Sequence, residues 1–485
     1  MNSIKTNAAR WLLLLGGASA LRLVLFVGPM GSDDLNYSAH AWALATGTYR
    51  PVPDVFSLRL GYVAPVAALY ALFGAGAFSL VLVNLALSLA GIFLAFRIAS
   101  EYLDERGAWL AAAFLAILPL DVFFATEAHT DLPLAAVTAG SVLCHLQGRR
   151  SGRPLHAFGA GLLLGFGHLI KESAFFGLAA LAAVGGRPRR KDVWVLAGFA
   201  FVVLLETAFY AIVTGDPLFR VHAIRAVQTT VITEAEGCIP GRLGDALTMF
   251  LLPWGGGFPF FGLGWLAALG GAILVLARRD RTLFPLVVWL AAILALLMFW
   301  PITFRPYRPA LRAHPRIFHL AAVPMSILAA RLIRGSPRPL GRLAAGALVA
   351  AALPSAVLLR ADGRRFSEGA RLAFRRLPPG LPVVSDPRTT GLFRLYDGYR
   401  ASRAWRTWDD PPPPAPHVRV VNDRWIALLK NWYGQCPPAW FSGDPAELLE
   451  EITIHGRLRW RPLLEGHLVR EAPEHVRLLL VRSFR

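Results

Sequence analysis

Charged side chains recur at the ends of apolar runs in this chain, and their types suit acid–base and phosphate chemistry. Asp33 and Asp34 stand side by side in GSDDLNYSAHAWALATGTYR, with Tyr37 close behind. Then come Asp54 and Arg59 in PDVFSLRL, Asp121 with Glu127, His129 and Asp131 in DVFFATEAHTDLPL, and Lys171 and Glu172 in GHLIKESAFF. Later stretches hold Arg220, His222 and Arg225 in DPLFRVHAIR, and Arg305, Arg308, Arg312 and Arg316 in ITFRPYRPALRAHPRIF. A carboxylate beside a water-filled cleft can take the proton of an attacking hydroxyl as it departs late in the transition state. A leaving phosphate needs positive charge aimed at its oxygens, from Arg or Lys, or from a metal held by acids. Interleaved acids and cations therefore fit chemistry on a phosphate-bearing lipid. Plainer roles compete at each position. Asp33 or Asp34 can cap the helix that follows, and Asp131 with Pro133 can open one. Lys171 and Glu172 can pair across a turn, and the arginines at 305–316 can snorkel to lipid phosphates.

The elements that must position these groups are apolar helices. Hydrophobic residues make up 55% of the chain and charged ones 17%, and the mean hydropathy is +0.48, far from a soluble domain. The runs 11–29, 78–97, 107–123, 132–147, 156–170, 173–185, 193–213, 261–277, 282–300, 316–333 and 340–359 predict about eleven transmembrane helices in an all-α polytopic domain. The first run has no small-residue cleavage site behind it and reads as a retained helix. With the N-terminus cytoplasmic, GRRSGR, GRPRRK, RRDR and RLIRGSPRPLGR fall on the cytoplasmic side. Treating 156–185 as a hairpin keeps the first two of these together. All the candidate residues named above then lie on the outer face. The net charge of +19 is partly topological and matched to anionic lipid. No nucleic-acid-binding motif accompanies it.

The expected organisation is a catalytic membrane domain over 1–359 and a small extracytoplasmic α/β domain over 360–485. The first outer loop, 30–77, holds an amphipathic stretch and the apolar GYVAPVAALYALFG, both suited to the membrane interface. In the C-terminal region GLPVVSDP reads as a strand and turn, DDPPPPAP as a stiff connection, and HVRVV and HVRLLLVRSF as strands. A nucleotide-binding glycine loop is absent, since LLLGFG lies inside a span. Of three cysteines, Cys144 reads as core, and a bond between Cys238 and Cys436 is left open.

In order and loop placement these motifs resemble the GT-C type membrane glycosyltransferases, in the branch of the protein O-mannosyltransferases and lipid A aminoarabinose transferases. Asp33, Asp34 and Tyr37 match the first-loop motif, Asp131 and Pro133 the acid near a Pro, and Lys171 the turn between paired helices. The Lys-Pro-Pro-Leu stretch of the aminoarabinose branch is replaced by SLRLGYVAPV. That favours the broader bacterial group similar to dolichyl-phosphate-mannose-protein mannosyltransferases. The resemblance implies inverting transfer of a sugar from a polyprenyl-phosphate donor to a lipid, glycan or protein acceptor outside the cytoplasm, in a bacterial inner membrane. It implies one of Asp33 and Asp34 as general base, the other orienting the acceptor or sharing a divalent ion. Lys171 with Arg59, Arg305, Arg308 or Arg316 would hold the donor phosphate, and Asp131 would orient a sugar hydroxyl or support the cations. Glu172, and more weakly His129, Tyr37 and Arg225, complete the candidate set. A divalent cation is not required by the resemblance; Asp33, Asp34 and Asp131 would be its ligands. Two other classes stay open: a different lipid-linked glycan transferase or ligase, and a transporter or flippase. The absence of an internal repeat and the one-sided placement of the acids weigh against the transporter.

Overall fold

Apolar runs fold as helices here because a helix satisfies its own backbone groups where water is scarce. The computed structural model describes residues 2–231, 244, 258–304, 307–309, 314–400, 403–413, 415–443, 446–454, 458–460, 468–470 and 474–482. Two compact units emerge. The first gathers Met1–Phe26, Arg50–Pro65 and Val83–Leu359, and the second Val27–Tyr49, Val66–Leu82 and Arg360–Arg485. Among the described residues eleven α-helices run from 2 to 231: α1 (Asn2–Val24), α2 (Asp33–Ala45), α3 (Leu60–Phe73), α4 (Ala77–Ala99), α5 (Glu105–Ile117), α6 (Pro119–Phe124), α7 (Asp131–Ser151), α8 (Pro154–Ile170), α9 (Gly177–Gly185), α10 (Val193–Thr214) and α11 (Phe219–Val231).

In the first unit α8 packs on α7 and α10 at backbone distance. A Cβ added to Gly161 would run into the carbonyl oxygen of Val195, and one on Gly198 into that of Phe158. Small residues permit this approach, and close backbone packing replaces the hydrophobic drive that lipid cannot supply. The helices Gly264–Ala277 and Ala322–Gly335 meet in the same way, Gly271 against the carbonyl of Leu328.

The expected all-α domain of about eleven spans does not hold. Among the described residues four helices are long and apolar enough to cross a membrane: Ala77–Ala99, Arg190–Thr214, Pro315–Gly335 and Arg338–Arg376. Five more apolar helices, Leu60–Phe73, Pro154–Ile170, Glu172–Gly185, Gly264–Ala277 and Phe284–Phe299, have only 10–17 residues. At 1.5 Å per residue, 17 residues reach about 25 Å, short of a hydrocarbon core of about 30 Å. Hydropathy did not reveal every helix break. The run 107–123 is divided at Leu118, whose extended backbone precedes Pro119, whereas the break expected between 156–170 and 173–185 is present, at an extended Lys171. The run 340–359 continues as one helix to Arg376. Strands β1 (Pro301–Phe304) and β2 (Tyr307–Pro309) also form an antiparallel pair outside the C-terminal region.

The second unit is built on a mixed sheet. Strands β3 (Val383–Ser385), β4 (Trp405–Thr407), β5 (His417–Asn422), β6 (Glu447–Ile454) and β9 (Glu474–Val481) are ordered β4-β3-β5-β9-β6. β3 is parallel to β4 and β5, whereas β9 is antiparallel to β5 and β6. Strands β7 (Leu458–Trp460) and β8 (Leu468–Arg470) form a separate antiparallel pair. Val384, Trp408, Leu429 and Phe441 make a core beside the sheet. Asp386 starts the helix Pro387–Tyr396, accepting the N–H groups of Arg388 at 3.0 Å and Thr389 at 2.8 Å.

Replacing Gly161 by Val inserts a side chain where backbone meets backbone. The expected loss is about 1–3 kcal/mol of stability, measured as a lower thermal unfolding midpoint in detergent than that of Gly159→Val, a site with open space around its Cα.

Candidate active site

The charged groups of the first unit collect at two chain breaks. At the first, α8 ends and Lys171 turns extended before a 3-10 turn, Glu172–Phe176. At the second, the 125–130 loop leads into α7 at Asp131. Lys171 is 6% exposed, and its Nζ donates to Asp131 Oδ1 at 2.6 Å. An ammonium so deeply buried is costly without a counter-charge, and the carboxylate at the α7 N-terminus supplies it. Glu172 turns the other way: its Oε1 accepts from Arg59 Nη2 at 3.2 Å. The pairing is therefore crossed, each neighbour bonding a residue far away in sequence.

Arg316 extends the cluster. Its Nη1 lies 2.7 Å from His129 Nε2 and its Nε 3.9 Å from Asp131 Oδ2. A guanidinium can only donate, so His129 Nε2 accepts in this contact. Glu127, fully buried, places Oε1 3.6 Å from the same ring nitrogen. The loop is held from behind by Asn84, whose Nδ2 donates to the carbonyls of His129 at 2.8 Å and Phe124 at 3.2 Å. Tyr62 in turn donates to Asn84 Oδ1 at 2.8 Å.

One feature of this cluster suits a ligand. An ammonium carries three donors, and Lys171 gives one to Asp131. Its other two N–H groups meet no acceptor among the described residues. A buried cation with donors to spare, flanked by Arg59 and Arg316, is a ready partner for an anion's oxygens.

The acidic pair belongs to the second unit, where burial separates the two residues. Asp34 is fully buried. Its Oδ2 accepts from the N–H groups of Met30 at 2.8 Å and Gly31 at 3.2 Å, and its Oδ1 from that of Ser32 at 2.6 Å. Burial pushes its carboxyl above the usual aspartate range, while those N–H groups oppose the shift. Asp34 thus ties down the turn that starts α2. Asp33, in the same first turn, is only half-buried. The turn rests on the C-terminal region: a Cβ on Gly31 would sit 2.8 Å from the Trp425 ring, and one on Gly391 2.7 Å from Leu35. Arg388 Nη1 donates to the carbonyl of Ser32 at 3.3 Å. On the other side of α2, Ser38 bonds the hydroxyls of Tyr70 at 2.7 Å and Tyr399 at 2.9 Å, and Trp42 stacks on Tyr399. Tyr37 is buried in α2.

Among the sequence candidates, Arg59, His129, Asp131, Lys171, Glu172 and Arg316 come together in the first unit. Arg225 is exposed on α11 and takes no part in the ion pairs above. Arg305, Arg312 and Cys238 lie outside the described residues, and so does the side chain of Arg308, whose backbone is in β2 opposite Thr303. Cys436 is exposed. Among the described residues no three His, Cys, Asp or Glu side chains are grouped to hold a metal ion.

Sequence reasoning named Asp121 and Arg220 but passed over their buried partners, Arg22 and Glu206. Arg22, in the middle of the first apolar run, is fully buried and pairs with Asp121 at 2.6 Å while bonding Ser88 at 2.7 Å. Arg220 pairs with Glu206 of α10. The available signal was an ionisable residue inside an apolar segment, as in ALRLVLF and VLLETAF. Removing Asp34's charge should unsettle its turn, and Asp34→Asn is expected to cost about 1–3 kcal/mol. Asp33→Asn, at a half-buried position, is expected to lower the thermal midpoint less than Asp34→Asn does.

Known proteins give the fold a context. Residues 62–213 match the family model described as dolichyl-phosphate-mannose-protein mannosyltransferase. No curated protein matches the sequence. ArnT from Cupriavidus metallidurans bound to undecaprenyl phosphate superposes with a TM-score of 0.60 at 14% identity, over 96% of this chain and 97% of that one. Its apo state gives 0.57 at 15% identity, over 97% and 98%. The archaeal oligosaccharyltransferase AglB from Archaeoglobus fulgidus, in complex with an inhibitory peptide and a dolichol-phosphate, gives 0.51 at 12% identity, over 90% and 72%. At these identities the likeness is one of fold alone.

Proposed function

We propose that the protein is a glycosyltransferase that moves a sugar from a polyprenyl-phosphate donor to a lipid, glycan or protein acceptor, with inversion at the anomeric carbon. The observation that carries this reading is the buried Lys171 ammonium, held by Asp131 with two N–H donors unused among the described residues. The mannosyltransferase match over 62–213 spans Asp131 and Lys171, and a shared fold with a protein bound to undecaprenyl phosphate agrees with a lipid phosphate as ligand.

The roles follow from the chemistry. As the bond from C1 to the phosphate oxygen breaks, its electron pair leaves with the phosphate, and Lys171, Arg59 and Arg316 stabilise the growing charge. Asp131 and Glu172 hold the first two cations in place beforehand, so little reorganisation accompanies the reaction. The acceptor hydroxyl bonds to C1 and its proton passes to the carboxylate of Asp33. Asp33 is chosen over Asp34 because Asp34 is fully buried while Asp33 is half-buried. His129 and Glu127 adjust the direction of Arg316. In this reading 1–359 is the catalytic membrane domain, and 360–485 lies on the extracytoplasmic face of a bacterial inner membrane.

The test is incubation of the purified protein with a panel of polyprenyl-phosphate sugars and an envelope extract as acceptor, with donor consumption read by mass spectrometry. Asp33→Asn is expected to lower turnover by about 10²–10⁴-fold with donor binding retained; full turnover in that variant would sink the base assignment. Lys171→Met is expected to raise the donor KM by about 10–100-fold, the worth of a charge-assisted bond of about 1.5–3 kcal/mol. Absence of donor consumption by the wild type across the panel overturns the transferase reading.

A further inference from the structure

Arg59 and Lys171 act together only if the two turns that carry them keep a fixed spacing, and the first unit holds a staple between them. The N-terminus of α3 and the C-terminus of α8 touch backbone to backbone. A Cβ on Gly61 would sit 2.8 Å from the Ile170 nitrogen and 2.9 Å from the Leu169 carbonyl carbon. Across this contact reaches Arg220, 5% exposed, from the first turn of α11. Its Nη1 donates to the carbonyl of Leu58 at 3.3 Å, next to Arg59, and its Nη2 to the carbonyl of His168 at 2.7 Å, three residues before Lys171. The guanidinium therefore bonds both turns at once, and its Nη2 lies 4.0 Å from Glu172 Oε2. Glu206, inside the apolar helix Arg190–Thr214, pairs with Nη1, and His168 Nε2 stands 3.5 Å from the same carboxylate. Tyr210 adds a hydroxyl bond to the Leu58 carbonyl at 3.4 Å, and Leu58, Tyr210 and Ala223 pack into one apolar cluster around the staple.

We infer that Arg220, oriented by Glu206, is a positioning residue that sets the distance between Arg59 and Lys171 and so tunes the cluster's grip on a lipid-linked phosphate. The inference rests on the transferase reading above. Arg220 has this role because its fork is planar: two separated N–H groups reach two carbonyls while a carboxylate fixes the plane. Lys at this position can reach one carbonyl only. Glu206 neutralises the charge inside the membrane segment, and leaving either partner alone there is costly. That cost makes a simple deletion ambiguous, so the charge-balanced double variant is the informative one.

The experiment titrates the purified full chain, in nanodiscs, with undecaprenyl phosphate and measures bound lipid by native mass spectrometry, alongside the thermal midpoint. Arg220→Met with Glu206→Leu removes both charges; the expected result is a midpoint near that of wild type with binding weakened about tenfold or more. Arg220→Lys is expected to recover part of that loss. Wild-type affinity in the double variant would overturn the inference, since the pair would then serve only to cancel charge. An equal loss in Arg220→Lys and Arg220→Met would overturn it too. If the wild type itself binds no undecaprenyl phosphate, the transferase reading fails first and this inference with it. Wild-type binding retained alongside normal binding by every variant defeats the staple alone.

Discussion

A lysine buried at a helix break needs a counter-charge, and in this protein that requirement organises the charged cluster of the first unit. An unpaired ammonium in a low-dielectric interior costs several kcal/mol, and breaking such a pair by removing one partner costs about 3–5 kcal/mol. Asp131 meets the need from the first turn of α7, 2.6 Å from Lys171 Nζ. The pair thereby locks the start of α7 to the break between α8 and the Glu172–Phe176 turn. Gly167 lets those helices close, since a Cβ there would stand 3.2 Å from a Leu134 methyl. With Lys171 committed to Asp131, Glu172 is left to hold Arg59, and Arg316 approaches the far oxygen of Asp131. Each cation is aimed by a carboxylate from another segment, which is how a binding cluster becomes rigid before its ligand arrives.

The second unit solves a different problem with the same chemistry. Its acidic pair begins α2, and the buried member must be satisfied there without losing the turn that carries it. Asp34 spends its oxygens on backbone N–H groups of Met30, Gly31 and Ser32, closing the turn around itself. The sheet helices then support that turn: Trp425 lies under Gly31, and Leu35 lies over Gly391. The hydroxyl chain Tyr399–Ser38–Tyr70 anchors the opposite side of α2. The C-terminal region is thus a support for α2 as well as a separate fold. Two adjacent acids of the same type thus sit in different environments: Asp34 is sealed from water and Asp33 is half-buried.

Much of this was legible in the chain. Apolar runs with basic residues between them marked helices in a membrane, and HVRVV and HVRLLLV marked the strands β5 and β9. The order of acids and bases pointed to the positions that the fold gathers into one cluster: Arg59, His129, Asp131, Lys171, Glu172 and Arg316. Helix lengths were not legible. Leu118 before Pro119 interrupts a run that hydropathy scores as continuous, and the run expected to end at 359 continues as helix to Arg376. Arg22 and Glu206 were passed over for a related reason: each is one charge in a long apolar window, and averaging hides it.

By itself the sequence determined what depends on local sums and local chemistry: a polytopic membrane chain, acids and cations at the ends of its apolar runs, and an α/β pattern near the C-terminus. Hydropathy and side-chain type are properties of short stretches, so one chain suffices to read them. Only the tertiary structure decided the partners. Lys171 faces Asp131 instead of its neighbour Glu172, Arg220 clasps carbonyls contributed by two other segments, and Asp34 is sealed while Asp33 is not. Those outcomes depend on burial and on contacts across 40 to 162 positions of sequence, and no local pattern encodes the separation at which two charges meet.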